Sequence, residues 1–175
     1  MRALPTIAAV LLCVFAGMAQ AGPLAGSVVG IAGQATVDRS GQRYGLRLGD
    51  SVFVDDTLQI PAGAKLKLRM NDGSVLSLAP GTSLRIDAYA LDASGRRLSI
   101  GQGLVRAATA PAGGPSNFEI DTAVGTSGAR STDWFVEAAP GSEQIAVLSG
   151  SVSLTSRSTG RGVLIPPGFG SQVAA

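Results

Sequence analysis

The sequence predicts an all-β fold, and three observations carry the prediction. Beyond the first residues, no segment holds apolar side chains at the i, i+3, i+4, i+7 spacing of an amphipathic helix. Apolar residues come instead in alternating pairs and triplets, separated by Gly, Ser and Thr. Pro and Gly recur together just ahead of such alternations, as turn residues do between short strands. The shape these features predict is a rolled β-sandwich or a short solenoid-like β-domain, with a helix only in an N-terminal signal.

That signal is the first element. Residues 1–21 carry one cation at Arg2, an apolar run from Ile7 to Phe15 and a small-x-small exit at Ala19-Gln20-Ala21, the layout of a secretory signal peptide cleaved after Ala21. The apolar run is well short of the roughly 20 residues that span a bilayer. A lipoprotein signal would use Cys13, but Leu11-Leu12 stand where a small residue is required. Cleavage takes 21 of the 175 residues and leaves 154, which suits one domain spanning residues 22–175. It also removes the only cysteine, so the exported chain is expected to have no disulfide. Arg2 leaves with it, and 13 cations then face 12 anions. A balance so close to neutral does not argue for nucleic acid.

Val28, Val29 and Ile31 predict a first strand, and Ala35 to Val37 a second. Ser40-Gly41 turns into a third that holds Tyr44 and Leu46. Gly49-Asp50 and Asp55-Asp56 bracket a short strand, Val52-Phe53-Val54.

The clearest element follows. Leu66, Leu68 and Met70 alternate with Lys65, Lys67 and Arg69, which places an apolar and a cationic face on one strand. Asn71-Asp72-Gly73 reverses the chain. A two-residue loop would set Leu68 opposite Ser77. A three-residue loop, with Gly73 left-handed, sets Leu68 opposite Leu76 and Leu66 opposite Leu78, and keeps the apolar set on one face. The three-residue loop is the expected one.

Pro61-Ala62-Gly63, Pro80-Gly81, Pro140-Gly141 and Pro166-Pro167-Gly168 mark further corners, at a spacing too irregular for a repeat array. The stretch Thr109 to Pro115 reads as an exposed loop within one domain, because Phe118-Glu119-Ile120 resumes a strand pattern at once.

Residue types narrow the chemistry. There is no histidine, and no cysteine after processing, which removes Ser-His-Asp and Cys-His catalysis and nearly every transition-metal site. A Ser-Lys dyad would have to use Lys65 or Lys67, both on the solvent face of a regular strand, a poor setting for a depressed pKa. Asp50, Asp55, Asp56 and Asp72 could serve a carboxylate-based hydrolase, yet each lies in turn sequence where aspartate hydrogen-bonds its own backbone. Their spacing matches no calcium loop. No catalytic, cofactor or metal residue is therefore assigned. Partner binding has more legible candidates in Lys65, Lys67 and Arg69, with Arg85 as a further cation. The competing role for these cations is to guard an exposed strand against pairing with other chains. Too few aromatic residues are present for a nucleic-acid stacking platform.

The order of these signals resembles the FecR domain family. Gly26-Ser27-Val28 with Gly33-Gln34-Ala35 is similar to its opening strands, and Leu48-Gly49-Asp50 with Asp55-Asp56-Thr57-Leu58 to its next segment. Asn71-Asp72-Gly73-Ser74 with Leu76 and Leu78 matches the family hairpin. Leu98-Ser99-Ile100, Gly103-Leu104-Val105, Phe118 to Thr122 and Val147 to Val152 follow in the family's order. Arg130-Ser131-Thr132-Asp133-Trp134-Phe135-Val136 stands where the family has a motif close to R-G-T-x-F-x-V, with Ser131 in place of glycine. If that glycine takes a positive φ, serine adopts it under strain. Arg130 and Trp134 join the partner-binding candidates if Trp134 faces outward. The other reading buries Trp134 with Val136 and leaves Phe135 and Glu137 outside.

In the best-known members such a domain lies in the periplasm behind a transmembrane helix and a cytoplasmic anti-sigma segment, relaying a signal from an outer-membrane transporter. Neither of those parts is read in this sequence, so the expectation is a free-standing FecR-like module, periplasmic or secreted and non-enzymatic. It would bind an envelope protein or an anionic polymer, in signalling and without stable membrane insertion. The alternative is a hydrolase acting on envelope glycans through paired carboxylates.

Overall fold

The structure, a computed structural model, describes residues 21–90, 95–110 and 118–175. Among them there is no helix, and 16 strands form one continuous sheet that does not close on itself. In chain order, β1 is Leu24–Ala32, β2 Thr36–Arg39, β3 Gln42–Gly45, β4 Ser51–Phe53, β5 Thr57–Ile60, β6 Lys65–Met70, β7 Val75–Leu78 and β8 Thr82–Tyr89. Then come β9 Arg96–Ala108, β10 Phe118–Asp121, β11 Gly125–Ala129, β12 Asp133–Ala139, β13 Ser142–Ser149, β14 Val152–Ser156, β15 Gly162–Ile165 and β16 Gly170–Ala174. The expected signal segment and most of the expected 109–115 loop lie outside the described residues.

The sheet folds over on β9 to make two layers. One layer runs β4-β1-β6-β7-β9-β12-β13-β16, and the other runs β3-β2-β5-β8-β9-β10-β11-β14-β15. The first half of β9 pairs with β8 and β10 in the second layer, and its second half with β7 and β12 in the first. The strand changes layer at Gly101-Gln102-Gly103. Gly103 has φ +100°, and a β-carbon there would lie 2.5 Å from the Thr82 α-carbon, so the crossing needs glycine twice over.

Both layers send alternate side chains into one core. Leu66, Leu68, Leu76, Val105, Trp134 and Val136 enter from the first layer, and Leu58, Leu84, Ile86, Leu98 and Ile120 from the second. Phe118 of the second layer meets Trp134 of the first edge to face, with ring centroids 5.6 Å apart. This is the sandwich rather than the solenoid form of the expected shape.

The β6–β7 hairpin has the expected register, with Leu66 opposite Leu78 and Leu68 opposite Leu76. Its loop is Asn71-Asp72-Gly73, with Gly73 at φ +88° and the Gly73 amide donating to the Met70 carbonyl at 2.9 Å. Each Pro-Gly corner falls between consecutive strands, and Gly63, Gly81, Gly141 and Gly168 all take positive φ there.

Candidate functional site

The outward face of β6 presents three cations that make no ion pair among the described residues. Strand period dictates that Leu66, Leu68 and Met70 are buried while Lys65, Lys67 and Arg69 are exposed. Among the described residues, no carboxylate lies within 4.0 Å of any of the three. Seven arginines elsewhere (Arg39, Arg43, Arg85, Arg96, Arg97, Arg106 and Arg157) do form ion pairs. The β6 cations do not guard an edge. β6 pairs with β1 on one side and β7 on the other, so its backbone has no open donors to protect.

One row of the sheet shows what surrounds them: Gly30, Lys67, Ser77, Arg106, Phe135, Ala146 and Gly170 stand opposite one another across successive strands of this layer. The small residues on β7 leave an open groove of about 480 Å³, floored by Ser77, Leu78 and Ala79. Lys65 and Lys67 stand on one side of that floor, and Leu104, Arg106 and Phe135 on the other. The Arg106 guanidinium donates to both Asp133 carboxylate oxygens at 2.9 and 2.7 Å and sits 5.6 Å from the Phe135 ring centroid. Hydrogen bonding from Arg106 holds the Asp133 carboxyl below the usual carboxylate range. The second wall is thus electrically spent, and the lysine wall is not.

The remaining expected site residues lie elsewhere. Arg85 is on β8 in the opposite layer, tied to Asp55 at 2.7 Å and Asp87 at 3.0 Å, so it is no part of the β6 cationic face. Trp134 is fully buried and offers nothing to a partner, because it shares its inward direction with Val136. Arg130 is exposed and lines a shallow depression with Gly128, Ser153 and Leu164 on the second layer. Beside it, Ser131 takes φ +50°, the left-handed conformation expected of a glycine position. Sequence reasoning did not join Arg106, Leu104 and Phe135 to Lys65 and Lys67, because their adjacency depends on β7–β9–β12 pairing that local periodicity does not encode.

The four turn aspartates are each engaged in turn hydrogen bonds or ion pairs. Asp56 is fully buried and bidentate to Arg39 at 2.7 Å, and it also accepts the Phe53 amide at 2.8 Å. Asp50 accepts the Arg47 amide, Asp55 pairs with Arg85, and Asp72 lies in the β6–β7 loop. Among the described residues, no group of three or more His, Cys, Asp or Glu is placed to hold a metal ion. No described helix is long and apolar enough to cross a membrane.

Residues 56–153, more than half of the chain, match the model of the FecR protein family. The chain belongs to the FecR family. The fold agrees. Two crystal structures, at 1.65 and 2.50 Å resolution, of a Parabacteroides distasonis protein described provisionally as an anti-sigma factor are similar to this chain. Each superposes with a TM-score of 0.60 at 17% identity, covering 67% of this chain and 54% of that one. The FecR chain thus spans about half the length of that protein. No curated protein matches the sequence.

Proposed function

We propose that this FecR-family protein is an exported, non-enzymatic module that binds a protein or anionic polymer partner in the bacterial envelope and takes part in signalling. The observation that carries the reading is the outward face of β6, where Lys65, Lys67 and Arg69 stand without carboxylate partners beside an open groove. Net charge far from neutral would attract partners indiscriminately, whereas a local cationic patch on a near-neutral chain orients one face toward an acidic partner. The family match and the likeness to a protein described as an anti-sigma factor support the signalling context. The secretory layout of residues 1–21 supports export.

The reading is tested by affinity capture from the protein's own envelope fraction, with proteins identified by mass spectrometry and polymers by glycan analysis. The triple variant K65E/K67E/R69E is expected to lose the partner that the wild type retains. R85E, on the opposite layer, is expected to keep it. Equal recovery by wild type and triple variant would remove the β6 face from the proposal.

A further inference from the structure

The shape of the groove narrows the partner, given the partner-binding reading above on which this inference rests. Its deepest part lies over one strand, β7, between ridges on β6 and on β9 with β12, and beyond the β6 ridge it continues over Gly30, Ile31 and Ala32 of β1. Strands in a sheet are about 4.8 Å apart, so the ridges stand roughly 10 Å apart backbone to backbone. An α-helix with its side chains is about 10–12 Å across and does not enter such a slot, whereas one extended chain does. The two walls also differ. Lys65 and Lys67 are one strand period apart, roughly 7 Å, which is the spacing of alternate side chains on any extended peptide. Facing them is a wall whose charge is already neutralised by the Arg106–Asp133 pair, leaving the apolar surfaces of Leu104 and Phe135.

We propose that the groove over β7 binds one extended acidic peptide segment of a partner protein. Its alternate carboxylates lie on Lys65 and Lys67, and its intervening apolar side chains lie against Leu104 and Phe135. A linear glycan fits the lining less well. Ser77 is the one neutral polar side chain among the lining residues, and Arg106 already lies over the Phe135 ring, so hydrogen-bonding groups and a free stacking face are both scarce.

The probe is a fluorescein-labelled peptide, Glu-Val-Glu-Leu-Glu-Val-Glu, followed by fluorescence anisotropy on the full exported chain at low ionic strength. Binding is expected, at least tenfold weaker when the same residues are rearranged with the four glutamates in one block, and at least tenfold weaker on K65E/K67E. R85E is expected to bind as wild type does, and A79W, which fills the floor, to lose binding while Lys65 and Lys67 remain. Both lysines are exposed, and native emission from the buried Trp134 verifies that each variant is folded.

Equal binding of the block peptide, binding that survives K65E/K67E, or no binding at all overturns the proposal. Tighter binding of an oligogalacturonate than of the peptide also overturns it, in favour of a glycan. If the peptide fails while envelope capture still depends on the β6 cations, the peptide assignment falls and partner binding stands. If capture is also unaffected by those cations, both fall.

Discussion

Asp72 ties the β6–β7 loop to two other strands, and its loss is expected to be costly. Its carboxylate accepts the Ser74 amide at 2.9 Å, the Ser74 hydroxyl at 2.8 Å and the Tyr89 hydroxyl at 2.8 Å. Its Oδ2 also lies 2.8 Å from Arg96 Nε, and the two side chains are only 10% and 9% exposed. That nitrogen makes no aligned hydrogen bond, so the contact with Arg96 acts through charge rather than direction. Burial, and then the Asp72 carboxylate, hold the Tyr89 hydroxyl well above the usual phenol range, so it stays protonated and donating. Removing one member of a buried pair costs about 3–5 kcal/mol, because the other charge is left unpaired. We place Asp72→Ala at about 3–4 kcal/mol, since the pair keeps slight access to water. Asp72→Asn keeps an acceptor for the Ser74 amide but not the charge, and is expected to cost about 2 kcal/mol. At about 2–4 °C per kcal/mol for a chain of this size, Asp72→Ala lowers Tm by roughly 6–16 °C. Urea unfolding followed by fluorescence of Trp134, the only tryptophan, measures the change. Asp50→Ala, which removes an exposed turn acceptor, is the control at about 0.5–1 kcal/mol. A cost for Asp72→Ala no greater than the control, or additive effects of Asp72→Ala and Tyr89→Phe in a double-mutant cycle, would refute the tie.

Two further outcomes follow from single residues. Ser131→Gly relieves a left-handed serine at about 1–2 kcal/mol and loses about 0.5–1 kcal/mol of backbone entropy, so the variant should be more stable by up to about 1.5 kcal/mol in the same urea assay; a destabilised variant contradicts it. Glu143 is fully buried with one carboxylate oxygen unpaired, and burial raises its pKa despite the hydrogen bond from Thr122. A raised folded pKa means that stability is fully present below the unfolded value and is lost as pH rises through the folded one, at about 1.4 kcal/mol for each pH unit between the two values. Glu143→Gln should therefore match wild type near pH 4 and exceed it near pH 7.5, and urea midpoints that differ equally at both pH values would contradict that.

The strands were legible where two local signals agreed. In β6 and β7, period-two alternation and the Asn71-Asp72-Gly73 turn pointed to a single register, and that register is observed. The burial of Trp134 could be read only as one of two alternatives, since alternation says that neighbours face opposite ways but not which way is in. The Arg85 grouping failed for a related reason. Periodicity identifies an outward cation but not the layer it faces out from, and the layer is decided by the crossover of β9 at Gly103. The partners of Asp72 were illegible because Tyr89 and Arg96 reach it from other strands, 17 and 24 positions along the chain.

The same crossover explains why a near-neutral chain can present a charged face. On the second layer, Arg43, Arg85, Arg97 and Arg157 are laced to Asp38, Asp55, Asp87, Glu119 and Asp121, so the carboxylates of that surface are committed to cations of their own layer. On the first layer, Lys65, Lys67, Arg69 and Arg106 face only Asp133 and the exposed Glu137, two fewer anions than cations. The chain total conceals this because it sums paired and unpaired charges over the whole surface. Carboxylates committed to a ladder of surface pairs add little stability individually, about 0–1 kcal/mol each. Their larger effect is on distribution, since every acid held on the second layer is one that cannot neutralise β6. An acidic partner is therefore attracted to the first layer, and this preference fades as salt shortens the screening length to about 8 Å at physiological strength. Orientation, rather than overall charge, is what this arrangement supplies to partner binding.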